Sequence, residues 1–232
     1  MTFFWEPSAT RTHDEKASLS NILCEAFQDS PLSKLIAADE SDRKTFLRFL
    51  YPRRLVLLSD FSECLISQPD EENLPEIAGH CAMMPPGKNQ VSPSLADMIK
   101  LGLWRMPFAV GWNSYRAFRS IVASIRIIHD DVVANDKDLK DGYYYTLEVL
   151  GIRKDLQRKG IGSEMILHFL NRADEVNIPI YTYTPNQENL SFFTRLGFKV
   201  IDERDLAYGL AKIKVFSLKR LTPVNCSDGE SD

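Results

Sequence analysis

The chain has 232 residues, with 28 Lys and Arg against 32 Asp and Glu, a formal net charge of −4. That length suits one α/β domain with insertions, and the acidic balance argues against nucleic-acid binding, which needs a basic excess. Cys24, Cys64, Cys81 and Cys226 follow neither metal-ligand nor disulfide-framework spacing, so they read as reduced thiols of a cytoplasmic protein.

Taken in order, residues 2–5 predict an edge strand, and no basic start of a secretory leader precedes it. Asp14 opens a helical pattern through Leu19, Ile22, Leu23, Ala26 and Phe27 that stops at Ser30-Pro31. A second helix follows Ser41-Asp42 through Phe46, Leu47, Leu50, Leu55 and Leu58, and Pro52 should kink or divide it. Residues 63–67 and 76–84 read as two paired strands joined by the acidic loop 69–75.

Residues 94–130 form a helical insertion between the third and fourth strands. It carries Trp104, Phe108, Trp112, Tyr115 and Phe118 in two helices separated near Pro107 and Gly111. Such aromatic stripes usually belong to the core; the competing reading is the lining of an apolar pocket. The most apolar run, 121–128, is broken by Arg126 and too short to span a bilayer, so no membrane contact is expected. Residues 130–142 are polar and charged, hence a surface loop.

Residues 147–163 organise the rest of the chain. The segment 147–152 is a short buried strand, and Gly151 marks a bulge or a close backbone approach. From Gln157 to Gly162, two basic residues precede two glycines spaced one apart. A helix then starts from Gly162 and buries Ile166, Phe169, Leu170, Ala173 and Val176 on one face, with His168 solvated on the other. A strand that stops, a glycine turn and a helix N-terminus make an anion site, suited to phosphate or pyrophosphate. A Rossmann fingerprint would need glycine where Met165 stands, and a P-loop would need lysine before Ser163. Residues 177–184 read as a fifth strand, and a short helix beginning near Asn189 ends at Gly197. The antiparallel strands 198–202 and 210–218 follow, then a polar, disordered tail over 222–232.

The loop resembles the Gln/Arg-x-x-Gly-x-Gly/Ala signature of the GCN5-related N-acetyltransferases (GNAT), with Gln157, Gly160 and Gly162 in register. Asn189-Leu-Ser-Phe-Phe-Thr-Arg-Leu-Gly-Phe198 looks like the closing motif of that family. The likeness runs from about Tyr143 to Val200 and is nearest the branch that includes puromycin N-acetyltransferase. It implies a mixed α/β (α+β) GNAT fold over residues 1–221: a twisted, mostly antiparallel sheet splayed between strands 4 and 5, with helices on both faces.

The resemblance also implies acetyl-coenzyme A as cosubstrate, with no metal. The pantetheine arm would lie along Val149, Leu150, Gly151 and Ile152, and the pyrophosphate on Gln157, Arg158, Lys159, Gly160, Ile161, Gly162 and Ser163. Asn189, Phe192 and Phe193 would border the coenzyme, and Asn189 could also cap its helix. A backbone N–H near Val149 or Leu150 would hold the oxyanion.

Glu148, alone in an apolar strand and on the pleat face of Leu150 and Ile152, is the candidate base. Its alternative is an ion pair or hydrogen bond with a lysine or tyrosine across the sheet. Phe193 stands where the closing motif usually has a proton-donating tyrosine. Either the thiolate leaves unprotonated, as a thiol pKa of roughly 8.5 allows, or Tyr183 serves instead, at a position where the resembled branch tends to carry glutamate. The expected reaction is acetylation of a small-molecule primary amine by direct attack on the thioester. Acetylation of a peptide N-terminus or lysine, or silent coenzyme binding, are the alternatives, and monomer and homodimer both stay open.

Overall fold

The computed structural model describes residues 3–68, 75–88 and 95–223. Seven strands form one sheet in the order β1-β2-β3-β4-β5-β7-β6. They are β1 (Phe3–Pro7), β2 (Ser62–Ser67), β3 (Ile77–Met84), β4 (Tyr145–Ile152), β5 (Ile180–Thr184), β6 (Lys199–Tyr208) and β7 (Ala211–Arg220). Only β4 and β5 pair in parallel; every other pairing is antiparallel.

Helices cover both faces, as expected. On one, α1 (His13–Phe27), α2 (Pro31–Ile36), α3 (Glu40–Leu58), α5 (Met106–Val110) and α6 (Trp112–Asn135) share a core with Cys64, Ile66, Val149 and Val215 of the sheet. On the other, α7 (Ile161–Glu175) and α8 (Leu190–Arg195) pack with Leu65, Leu147, Ile152 and Leu218. Strand β3 is buried at every residue because both faces are covered, which is why its sequence shows no polar alternation.

Local chemistry explains most helix ends. Thr12 and Glu15 form a reciprocal capping box that starts α1. Ser30 caps α2 with Pro31 at its first position, so the Ser-Pro pair that ends one helix opens another, which sequence reasoning missed. The α3 helix runs unbroken through Pro52 rather than dividing there. Pro52 is exposed, so the carbonyl that loses its partner can be hydrated.

The insertion departs further from expectation. Gly111, at φ +82°, separates α5 from α6, whereas Pro107 lies in the first turn of α5. A short α4 (Leu95–Lys100) precedes them. Tyr115 and Phe118 pack against the core, but Trp104, Phe108 and Trp112 are 59%, 76% and 59% exposed, so the core reading fails for these three.

The expected surface loop 130–142 is helical as far as Asn135. Ile128 and Val132 there join Leu139, Tyr144 and Tyr181 in a small core cluster, outweighing the polar composition. The acidic residues of this stretch find cations on the last strands: Asp131 pairs with Arg204, and Lys219 lies 2.6 Å from Asp136 and 2.8 Å from Asp138. Helix α7 starts at Ile161, one residue before the expected Gly162, and Val176 lies past its end, exposed. His168 is not merely solvated: it stacks on Trp5 at 4.4 Å, and Glu63 Oε2 lies 3.0 Å from its Nε2.

Thr222 is fully buried and bonded to Asn177, so ordered chain reaches past the expected boundary. The rest of the expected tail, 224–232, and loop residues 69–74 lie outside the described residues. No helix among the described residues is long and apolar enough to cross a membrane.

Candidate functional site

The site begins where two parallel strands part. Strands β4 and β5 register only at Tyr145↔Ile180 and Thr146↔Tyr181. One residue on, the Thr182 hydroxyl still donates to the Leu147 carbonyl at 3.0 Å. Beyond that point β4 has no strand beside it on this edge.

A bulge decides what β4 shows to the gap. Ala82 pairs with Val149 and Met83 with Leu147, so Glu148 is one residue too many. The Arg153 N–H donates to the Ala78 carbonyl, so the alternation of the strand turns Gly151 and Val149 toward β3 as well. Leu150 and Ile152 therefore aim their main-chain groups into the gap, and of the two oxyanion-donor candidates only Leu150 faces it. The Gln157 Nε2 donates to the Ile152 carbonyl at 3.1 Å, tying the following loop to this edge.

The bulge also corrects the predicted side-chain faces. Leu150 and Ile152 pack with the α7 core. Glu148 and Val149 instead turn toward α1 and α3, Glu148 pairing with Arg54 and Val149 joining that core. Gly151 is the close approach rather than the bulge: a Cβ there would stand 2.4 Å from Leu23 Cδ2 of α1.

The loop that follows folds for a main-chain reason. A 3-10 turn, Lys154–Leu156, leads to Arg158 at φ +62° and Gly160 at φ +83°, and Gly160 is the N-cap of α7. The N–H groups of Ser163 and Glu164 return to the Gly160 carbonyl, at 2.9 and 3.2 Å. Those of residues 158–162 donate to no acceptor among the described residues. These amides stand at the start of a 15-residue helix, where the helix dipole favours negative charge. Arg153 is already engaged by Glu76 and Asp155, whereas Arg158 and Lys159 make no ion pair among the described residues. Gly162 lies 3.8 Å, measured from a built Cβ, from both Ile152 and Phe192, so strand, loop and α8 converge here.

On the α1/α3 face lies a buried polar group. Arg54 Nη2 of α3 is 2.6 Å from Glu148 Oε2, with the two side chains 29% and 11% exposed. Burial opposes the Arg54 charge, but Glu148, Tyr183 and Tyr51 outweigh it and lift its pKa above the usual arginine value. Burial raises the Tyr183 phenol, and the Glu148 charge adds to this against Arg54, so Tyr183 stays protonated well past neutral pH. Burial likewise holds Tyr51 in its protonated form. His80 on β3 is pushed down to about 3 by burial and then by the Arg54 charge, so it is neutral, with Nδ1 3.3 Å from the Ser8 hydroxyl.

Glu148 and Tyr183, read separately from the sequence, thus share one electrostatic neighbourhood. Arg54, Tyr51 and His80 were missed. The helical period held a signal, because Tyr51, Arg54, Leu55 and Leu58 fall on one face of α3.

The closing helix fits in part. Phe192 reaches Gly162, but Phe193 is buried between Phe192 and Phe198 at ring distances of 5.2 and 5.4 Å, a core position with no proton to give. Asn189 makes no side-chain cap; its Nδ2 donates to the Thr184 hydroxyl at 3.4 Å, and Asn186 caps the preceding turn.

Residues 97–198 match the Acetyltransferase (GNAT) family. That stretch takes in α6, the splayed β4–β5 pair, the loop before α7 and the closing helix α8. The GNAT fold recurs in a structure from Corynebacterium glutamicum described as histone acetyltransferase HPA2 and related acetyltransferase, at 15% identity and a TM-score of 0.61, covering 96% of this chain and 97% of that one. The arylalkylamine N-acetyltransferase 2 of Aedes aegypti is similar at 12% identity and a TM-score of 0.55, covering 95% and 99%. Among the described residues, no cluster of His, Cys, Asp and Glu could hold a metal ion.

Proposed function

We propose that the protein transfers the acetyl group of acetyl-coenzyme A to the primary amine of a small molecule by direct attack on the thioester. The observation that carries this is the alignment of two main-chain devices: the open edge of β4 at Leu150 and Ile152, and the unpaired amides of residues 158–162 at the start of α7. An extended carrier with a diphosphate at one end suits both. Arg158 and Lys159 add charge to the diphosphate, and Gln157, bonded to Ile152, keeps loop and strand in register.

In the reading proposed here, the Leu150 N–H donates to the thioester oxygen and stabilises the charge that develops on it. Glu148 takes one proton from the acceptor ammonium and passes it to solvent. The freed nitrogen lone pair bonds to the carbonyl carbon, the carbon–sulfur bond breaks, and its electron pair leaves on sulfur. The second nitrogen proton reaches that thiolate through water. Tyr183, its phenol raised by burial, can donate a hydrogen bond to the sulfur without surrendering its proton.

Calorimetric titration with acetyl-coenzyme A tests the carrier, and thiol release with separate panels of amines and peptides tests the acceptor. Absence of any heat would end the reading, while turnover confined to peptides would move it to protein acetylation.

A further inference from the structure

The proposed reaction leaves the chemistry of Arg54 unused. A guanidinium offers five N–H donors in a planar fork, and in this structure one hydrogen bond, from Nη2 to Glu148, is all it makes among the described residues. Its Nε is buried with no partner. Around it stand the Tyr51 and Tyr183 phenols, which make no hydrogen bond among the described residues, and neutral His80, whose buried Nε2 is likewise unpartnered. An aliphatic or aromatic amine with no other polar group would leave all of this unsatisfied.

We propose that the acceptor carries a carboxylate within a few bonds of its amine, as an amino acid does, and that Arg54 binds this carboxylate while Glu148 receives the amine proton. The inference rests on the reading of Glu148 as proton acceptor. Charge balance is its physical basis. When Glu148 takes the proton it becomes neutral, and Arg54, held in low dielectric, loses its only counter-ion among the described residues. A carboxylate arriving with the acceptor replaces that charge on the same guanidinium, so proton transfer leaves no bare cation behind. The 29% of the Arg54 side chain that remains accessible gives the second anion a place to approach. Tyr51 and Tyr183, both protonated, are positioned as further donors to the same anion.

The test compares amines matched in skeleton: leucine with isopentylamine, and phenylalanine with phenethylamine. The carboxylated member of each pair should win by about tenfold or more in kcat/KM, the worth of one charge-assisted hydrogen bond. Arg54→Met should abolish this gap, mainly by raising KM for the amino acids, and Arg54→Lys should restore part of it. A wild-type preference for the decarboxylated amines, or a gap unchanged in Arg54→Met, would overturn the assignment.

A second measurement needs no turnover and no variant. Isocaproate and hydrocinnamate, the deaminated acids, should bind the wild-type protein in the presence of coenzyme A, and their failure to do so counts against the Arg54 site. If no amine is acetylated while coenzyme A still binds, the transfer reaction has failed, and acid binding alone decides this proposal.

Discussion

On the α7 side of β4 the chain builds its site from main-chain atoms: the amides of residues 158–162 and the strand edge at Leu150 and Ile152. On the α1/α3 side it uses side chains, Arg54, Glu148, Tyr51 and Tyr183, gathered from α3, β4 and β5. The first kind of site tolerates almost any side chain but demands particular backbone angles. The second tolerates backbone variation but demands particular atoms. Substitutions on the two sides should therefore fail in different measurements, one in carrier affinity and the other in turnover.

The sharpest separation is expected from Glu148→Gln. Loss of the proton acceptor should lower kcat about 100-fold, with coenzyme affinity changed about twofold or less. Steady-state rates and calorimetry together read both quantities, and a rate within about threefold of wild type would leave Glu148 a structural partner of Arg54 only. Next in size is Gly151→Ala, which thrusts a methyl group against Leu23 Cδ2 at 2.4 Å. It should cost about 2 kcal/mol of stability by overpacking, seen as a lower denaturant midpoint at unchanged slope.

The main-chain side is probed by a pair of substitutions. Gly160→Ala forces a side chain into φ +83°, a cost of about 1–2 kcal/mol, and should weaken coenzyme binding about tenfold. Gly162→Ala adds a methyl group at ordinary contact distance, 3.8 Å from Ile152 and Phe192, and should change binding about twofold or less. Equal effects of the two would break the view that backbone angle governs this loop.

Away from the carrier loop, the buried His80 should give a pH slope. His80 has a folded pKa of about 3, below the unfolded value near 6.5, so folding is favoured fully above pH ~6.5 and loses that advantage as pH falls toward 3. Unfolding free energy should decline between pH 7 and 5 by up to about 1.4 kcal/mol per unit. His80→Asn should flatten that decline, and equal slopes would show that His80 does not titrate on unfolding.

The two sides also differed in how much could be read from sequence. Glycine at 160 announces a left-handed backbone, and a helix start follows it, so the turn that leads into α7 was legible within six residues. The mostly antiparallel sheet and its splay between strands 4 and 5 followed from strand patterns and the resemblance together, but the order of the strands did not. The partner of Glu148 was not visible. A bulge is a matter of pairing between β3 and β4, and it turned Glu148 away from the face that simple alternation assigns. The foreseen alternative of a cross-sheet pair was right in kind, but the partner comes from a helix and is arginine rather than lysine or tyrosine. Two further misreadings share one cause, since composition was weighed above period. The polar stretch after Asp130 hides the helical spacing of Ile128 and Val132, and the aromatic run 104–118 hides the exposure of Trp104, Phe108 and Trp112.

The extra residue at position 148 has one more effect. It acts as a parity switch: every position of β4 downstream of it points opposite to where an even count from Thr146 would send it. Deleting Glu148 itself would make the strand regular, with Leu147 and Val149 adjacent opposite Met83 and Ala82, and would leave Leu150 and Ile152 facing as they do now. A one-residue deletion at 148 should therefore keep the strand folded and the Leu150 amide in the gap while removing the carboxylate that pairs with Arg54.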